Sequence, residues 1–151
     1  MDSKLVELIG RNFLTAELLR AGLEVATPVR DRGIDLIAYA DLDAGHGKFT
    51  ARPIQLKAAT KRAFSMDRKY EKFPNLLLAF VWDIHDLPNS QCYLLTYRQS
   101  LEIGAEMGYT ATPTWKKTGK YTTTRPSEKL RGCLGRYRVT QGDWRVRVLG
   151  D

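Results

Sequence analysis

Two short stretches decide the fold of this chain: residues 33–37, Gly-Ile-Asp-Leu-Ile, and residues 53–57, Pro-Ile-Gln-Leu-Lys. Each is apolar and of strand length, yet the first carries Asp35 and the second carries Gln55 and Lys57. Burying a charged group in an apolar strand is costly unless the group is paired, neutralised or bound to a metal. These three side chains are therefore the first candidates for function.

The spacing of these polar residues predicts that they meet. Residues 41–48 contain Asp, Gly-His-Gly and Lys, which is turn chemistry and predicts a hairpin between the two stretches. Side chains alternate between the faces of a strand, and directly paired residues project to the same side. With the turn centred near residues 45 and 46, Asp35 is expected opposite Gln55 or Lys57, so all three side chains converge.

Hydrophobic periodicity along the rest of the chain predicts a mixed α/β fold around one central sheet. Proline in the third strand predicts a bulge or an unpaired side at Pro53. The expected elements are a helix at 4–21 capped by Ser3, strands at 23–29, 34–40, 49–59, 76–84 and 91–97, a basic and partly helical segment at 61–72, a helix at 99–107, a loop at 110–124 and a helix at 126–137.

The composition suits a soluble protein of one domain. The chain has 151 residues, of which 43% are hydrophobic and 27% charged. No segment approaches the ~18 consecutive apolar residues of a membrane span, and the first residues lack the pattern of a signal peptide. The two cysteines have no spacing typical of zinc. We expect a cytoplasmic protein with free thiols and no membrane contact.

The positive charge is unevenly distributed. The net charge is +7, and residues 109–151 contain ten basic against three acidic residues. Positive surfaces attract polyphosphates, which predicts DNA as the partner. The expected phosphate contacts are basic residues after the third strand and in a segment rich in aromatic residues: Lys61, Arg62, Lys116, Lys117 and Lys120.

The order of helix, Gly-Ile-Asp, hairpin and Gln-Leu-Lys resembles the PD-(D/E)XK nuclease superfamily, which includes Holliday-junction resolvases, restriction enzymes and group I intron homing endonucleases. An uncharacterised bacterial branch with the core pattern G…ELLRRG…GIDL…IQVK is the most similar. The matching stretches are residues 10–13, 16–22, 32–36 and 54–57. The resemblance covers residues 5–60, with an extension to residue 97.

The resemblance implies a single restriction-endonuclease-like domain over residues 1–151, with an α-βββ-α-ββ core and a basic helical C-terminal extension at 98–151. It implies a Mg²⁺- or Mn²⁺-dependent nuclease that hydrolyses DNA phosphodiester bonds. In this family pattern Asp35 binds the metal, Gln55 takes the place of an acidic ligand and Lys57 is the catalytic lysine. The backbone carbonyl of Leu56 is a further candidate ligand.

Two positions depart from the family pattern. Gln55 replaces an Asp or Glu, which lowers the negative charge of the site. The helix glutamate of the family falls on Arg11, so another carboxylate is needed. Glu17 is preferred because helical spacing of 100° per residue places it on an apolar face beside Gly10; Glu7, on a polar face, is the alternative.

These departures support two further hypotheses. The same fold without catalysis could bind nucleic acid or a partner protein, or the chain could be a small subunit of a DNA-modifying or mobile-element system. Fold alone does not fix function. If both strands of DNA are cut, a two-fold homodimer is the favoured assembly.

Overall fold

The computed structural model describes residues 1–40 and 49–150, so the turn expected at 41–48 lies outside the described residues. Within that part of the chain, helices flank a mixed sheet of six strands in the order β1-β2-β3-β5-β6-β8, and β4 and β7 form a second, two-stranded sheet. The strands are β1 Leu23–Ala26, β2 Leu36–Ala40, β3 Ala51–Ala58, β4 Phe64–Asp67, β5 Leu77–Trp82, β6 Gln91–Thr96, β7 Lys120–Thr123 and β8 Arg138–Val139. The helices are α1 Ser3–Arg20, α2 Tyr97–Met107, α3 Pro113–Thr118, α4 Glu128–Leu134 and α5 Trp144–Leu149.

The central sheet begins as an antiparallel meander and then crosses over. β1, β2 and β3 pair antiparallel in sequence, β3 pairs parallel with β5, and β5 pairs antiparallel with β6. The register runs through Pro53 without a bulge, and pairing with β5 begins one residue later, at Ile54. The antiparallel pairing expected between the second and third strands is therefore present.

The crossover from β3 to β5 is partly helical, as expected, but its helix is of the 3₁₀ type and follows a strand that the sequence did not predict. It contains β4 followed by a 3₁₀ helix, Arg68–Lys72, and no α-helix. In β4 the buried Phe64 and Met66 alternate with the less buried Ser65 and Asp67. That period of two fits a strand, and it overrides the basic residues on either side that suggested a helix.

Two hydrophobic cores lie on opposite faces of the sheet. β5 is buried along its whole length, and its alternate side chains enter different cores, as expected for a central strand. The first core joins the sheet to α1 and α5 and contains Leu14, Leu18, Leu36, Ile54, Leu56, Trp144 and Val148, among others. The second joins the sheet to β4, α2, α3 and α4 and contains Phe64, Tyr70, Phe80, Ile103, Trp115 and Leu130, among others.

Helix α1 lies unusually close to β3. A Cβ atom added at Gly10 would stand 2.7 Å from the Cβ of Ala58, a distance that side chains do not adopt. Glycine at this position therefore lets the helix approach the strand that carries Gln55 and Lys57. The helix is capped by Asp2, which accepts a hydrogen bond from the Lys4 amide at 2.7 Å, and not by Ser3 as expected.

The expectation of a loop at 110–124 is wrong. This segment contains α3 and β7, with Thr112 capping the helix and Gly119 ending it in a left-handed conformation. Trp115 is buried in the second core, which fixes a segment whose Thr, Lys and Gly content resembled a loop. The C-terminal residues from 98 onward reach both cores through α2–α5, and β8 adds to the central sheet.

Both cysteines are free thiols, Cys92 buried and Cys133 partly so. Among the described helices, none is both long and apolar enough to span a lipid bilayer.

Candidate functional site

The site forms where β2 and β3 separate. Their paired register ends at Leu36 and Ile54, while β3 continues to pair with β5 on its other side. Beyond that point the Leu56 amide has lost its strand partner, and it donates instead to Oδ2 of Asp35 at 2.7 Å. The N–H and C=O of one strand residue point the same way. The Leu56 carbonyl therefore faces the same opened side of the strand.

A tight turn before β2 adds a second carboxylate. Asp31 accepts a hydrogen bond from the Gly33 amide at 3.4 Å, and Gly33 has φ of +94°, which favours glycine. The turn brings the side chains of Asp31 and Asp35 to one place. Asp31 is not among the site residues predicted from the sequence, although an Asp two residues before a glycine is a recognisable turn signal.

Helix α1 contributes one negatively charged and one positively charged side chain, Glu7 and Arg11. Nη2 of Arg11 lies 3.0 Å from Oε1 of Glu7 and 3.6 Å from Oδ1 of Asp35. Glu7, Asp31 and Asp35 can place one oxygen each within 4.8 Å of one another. Arg11, at the position where the family pattern has a glutamate, thus neutralises part of an acidic cluster.

The side chains surround an open cavity of about 280 Å³, which we call the acidic cavity. Its lining consists of Ser3, Glu7, Asp31, Asp35, Gln55, Leu56, Lys57 and Ala58. Five positions singled out from the sequence for catalysis or metal binding thus line one cavity: Glu7, Asp35, Gln55, Leu56 and Lys57.

The structure places Glu7, and not the preferred Glu17, at the acidic cavity. The two glutamates are ten residues apart on α1, which is roughly 15 Å along the helix axis. Glu17 lines a different cavity with Arg20 and Trp144. Helical spacing gives the face of α1 on which Glu17 lies but not its position along the axis, and that position places Glu17 too far from the cavity.

Asp35 is buried, with only 5% of its surface exposed, so its negative charge is costly to maintain. Burial raises the pKa of its carboxyl above the ordinary value, and the neighbouring Asp31 and Glu7 act in the same direction. The hydrogen bond from the Leu56 amide and the charge of Arg11 act against this rise in pKa. Asp35 thus holds a proton more readily than an ordinary aspartate.

Lys57 is half-buried against an aromatic ring. Its Nζ lies 5.1 Å from the ring centroid of Tyr70, which is only 2% exposed. Burial lowers the pKa of Lys57, while Asp67 and Asp35 oppose this shift. Tyr70 is not among the site residues predicted from the sequence. Nothing in the basic segment around it indicates that its side chain is buried next to Lys57.

Gln55 has a buried oxygen without a partner. Among the described residues, none donates a hydrogen bond to its Oε1, and its amide nitrogen contacts the Leu56 carbonyl only at 3.5 Å. Carboxylate, amide and backbone oxygens are the ligands that Mg²⁺ and Mn²⁺ prefer. The donor set therefore fits such an ion, although Arg11 supplies a competing positive charge.

The basic residues expected at DNA lie outside the lining of the acidic cavity. Lys61 is exposed, whereas Arg62 pairs with Asp83 at 3.5 Å. Lys116, Lys117 and Lys120 are exposed on α3 and β7. Of these, Lys120 pairs in register with Asp67 of β4, next to the 3₁₀ helix that carries Tyr70.

Comparison with protein-family models, with curated proteins and with solved structures found no match to this chain.

Proposed function

We propose that this chain is a metal-dependent, endonuclease-like protein that hydrolyses DNA phosphodiester bonds with Mg²⁺ or Mn²⁺. One observation carries the proposal: a buried carboxylate, a half-buried ammonium and a partnerless amide oxygen converge in one open cavity. These are Asp35, Lys57 and Gln55. Groups with pKa values displaced by burial and by each other's charge are typical of functional sites.

The residues that would hold the ion are the three carboxylates together with the Gln55 oxygen and the Leu56 carbonyl. When bound, the ion would neutralise charge on the phosphate and polarise it for attack by water. Asp35 would be the central ligand, because the Leu56 amide fixes its orientation and its burial reduces the screening of its charge by water. Glu7 and Asp31 are exposed and complete the negative charge.

Lys57 supplies the positive group beside the reacting phosphate. Its Nζ is held by the Tyr70 ring and stands close enough to Asp35 for their charges to interact. There it would donate a hydrogen bond to a phosphate oxygen as negative charge develops. Because burial lowers its pKa, its Nζ also gives up a proton more readily than an ordinary lysine does.

The restriction-endonuclease-like identity of the fold is part of the same proposal. The order of α1, a three-stranded meander, a crossover to a parallel strand and a further antiparallel strand follows the expected α-βββ-α-ββ core. The departure is the crossover, which has a short 3₁₀ helix in place of the α-helix. The strand that carries Gln55 and Lys57 keeps its expected place in the order, while the 3₁₀ helix brings the Tyr70 ring to Lys57.

A second candidate function is a nuclease-fold module that binds nucleic acid or a protein without cleaving anything. The observation that favours it is Arg11, which pairs with both Glu7 and Asp35 where a metal ion would otherwise balance their charge. Gln55 also favours this candidate, because a neutral amide adds no negative charge that a metal ion would balance.

Cleavage assays separate the two candidates. The purified protein is incubated with linear, supercoiled, single-stranded and branched DNA in Mg²⁺, Mn²⁺ or EDTA. We expect metal-dependent cleavage that Asp35→Asn abolishes together with metal binding. Lys57→Gln should spare metal binding and slow turnover about a hundredfold or more. His85→Ala serves as the control, because His85 is exposed and bonds only the Thr60 carbonyl, at 2.7 Å, among the described residues.

Cleavage that persists without both Asp35 and Lys57 would place the activity elsewhere. A wild-type protein that neither cleaves DNA nor binds metal would leave the binding module as the better account.

A further inference from the structure

A second, smaller hollow lies in the structure beside the acidic cavity. Its volume is about 160 Å³, and it is lined by Arg32, Gly33, Lys69, Tyr70, Lys72 and Phe73. Every charged residue in this lining is a cation, whereas the acidic cavity combines three carboxylates with one lysine. We call the second hollow the basic hollow.

The two lysines of the basic hollow lie against aromatic rings. Nζ of Lys69 lies 5.1 Å from the centroid of the Tyr70 ring, and Nζ of Lys72 lies 5.5 Å from that of Phe73. Nζ of Lys69 also forms an ion pair with Oδ2 of Asp67 at 3.8 Å. Arg32 and Lys72 make no ion pair with any residue in 1–40 or 49–150. The hollow therefore presents positive charge that the residues described in the structure leave largely unbalanced.

The acidic cavity and the basic hollow are neighbours, because residues adjacent in sequence or in contact with one ring line both of them. The consecutive residues Asp31 and Arg32 line different cavities, so the charge changes sign within one turn of backbone. The Tyr70 ring provides the second connection, since Lys57 of the acidic cavity and Lys69 of the basic hollow both lie 5.1 Å from its centroid. The acidic cavity and the basic hollow therefore lie close together.

We propose that the basic hollow binds a backbone phosphate of a polynucleotide strand, adjacent to the phosphate that enters the acidic cavity. This proposal rests on the proposed function: the basic hollow would hold the DNA strand in position while the neighbouring phosphate enters the acidic cavity. An acidic cluster by itself repels a polyanion, so cations beside it are needed to hold the strand over it. Tyr70 is too buried to stack on a base, and the hollow is small, so a phosphate is the ligand that its chemistry fits.

Equilibrium binding without metal tests this inference separately from cleavage. Labelled single-stranded and duplex oligonucleotides of the same sequence are titrated in EDTA at several salt concentrations. The test variant is the triple Arg32→Ala, Lys69→Ala and Lys72→Ala. The matched control is Lys129→Ala, Arg131→Ala and Arg136→Ala, which removes the same charge from exposed residues on and just after α4.

The test variant should bind polynucleotide about tenfold or more weakly, and its salt dependence should fall by roughly one unit of slope per lost phosphate contact. The control triple should show a smaller loss in both quantities. Inorganic phosphate should compete only weakly, because one phosphate lacks the neighbouring charges of a strand.

Equal losses in the two triples would overturn the inference, and so would tight binding of inorganic phosphate without preference for the polymer. The milder Lys69→Gln and Lys72→Gln variants, checked by circular dichroism, exclude misfolding as the cause of a loss. If the basic hollow proves necessary for binding but no metal supports cleavage, the proposed catalysis fails and this inference stands. If the wild type cleaves DNA with metal but the test variant binds DNA with unchanged affinity, this inference fails and the proposed catalysis stands.

Discussion

The two ends of helix α1 carry nearly the same pair of side chains and face two cavities of comparable size. Near the start, Glu7 and Arg11 lie 3.0 Å apart beside a cavity of about 280 Å³. Near the end, Glu17 and Arg20 lie 3.5 Å apart beside a cavity of about 360 Å³. Neither the glutamate, its arginine nor the volume of the cavity distinguishes a functional site from an ordinary surface cleft.

The difference lies in what the sheet brings to each end. At the first end, β2 and β3 separate, and Asp35, Gln55 and Lys57 line one cavity together with Glu7 of the helix. At the second end, the described lining adds Arg138, Trp144 and several neutral residues, with no carboxylate besides Glu17. Convergent charge that is costly to bury, and not the presence of a cavity, therefore marks the candidate site.

The largest expected contrast comes from removing one carboxylate at each end. Glu7→Gln should weaken Mn²⁺ binding roughly tenfold or more, because a ligand charge is lost. Glu17→Gln, the matched control on the same helix, should leave affinity unchanged. Isothermal titration calorimetry measures both variants. An equal loss in both would show that the two ends do not differ as the geometry indicates.

Removing the arginine at each end gives a smaller contrast of opposite sign. Arg11→Ala should tighten Mn²⁺ binding several-fold, corresponding to about 1 kcal/mol for a partly exposed charge next to the ion. Arg20→Ala, which breaks the other pair, should change nothing. Weaker binding in Arg11→Ala would mean that Arg11 positions Glu7 and Asp35 and does not compete with the cation.

The pH dependence of metal binding sharpens the comparison further. The pKa of Asp35 is raised in the folded protein, so the folded state binds its proton more tightly than the unfolded chain does. The resulting stabilisation is complete below the ordinary carboxyl pKa and is lost as pH rises through the raised value. Mn²⁺ affinity should rise over the same window, since the ion displaces that proton. Asp35→Asn should flatten the stability profile in thermal unfolding, whereas Glu17→Gln should leave it unchanged.

Much of the central fold was predictable because short-range patterns determine it. The antiparallel pairing of β2 with β3 followed from two apolar stretches and a turn-rich link, and alternation of faces placed Gln55 and Lys57 together. β5 was predictable as buried because it is apolar at every position. These are the elements whose pattern and packing agree.

The parts that were not predictable depend on packing between distant elements. β4 and β7 stabilise each other across a separation of more than fifty residues, so neither is evident from its own segment. Tyr70 reaches Lys57 only because the 3₁₀ helix after β4 turns inward. The choice between Glu7 and Glu17 required the position along α1 at which the sheet opens, which helical periodicity does not contain.

The hydrogen bond from the Leu56 amide to Asp35 makes the backbone itself a reporter of the site. An amide proton shared with a carboxylate shifts its magnetic resonance when that carboxylate gains a proton or a cation. Leu56 lies in a strand that is paired on its other side with β5, so little else moves this amide. In a spectrum of the isotopically labelled protein, one backbone signal therefore records the chemical state of the most buried carboxylate in the described chain.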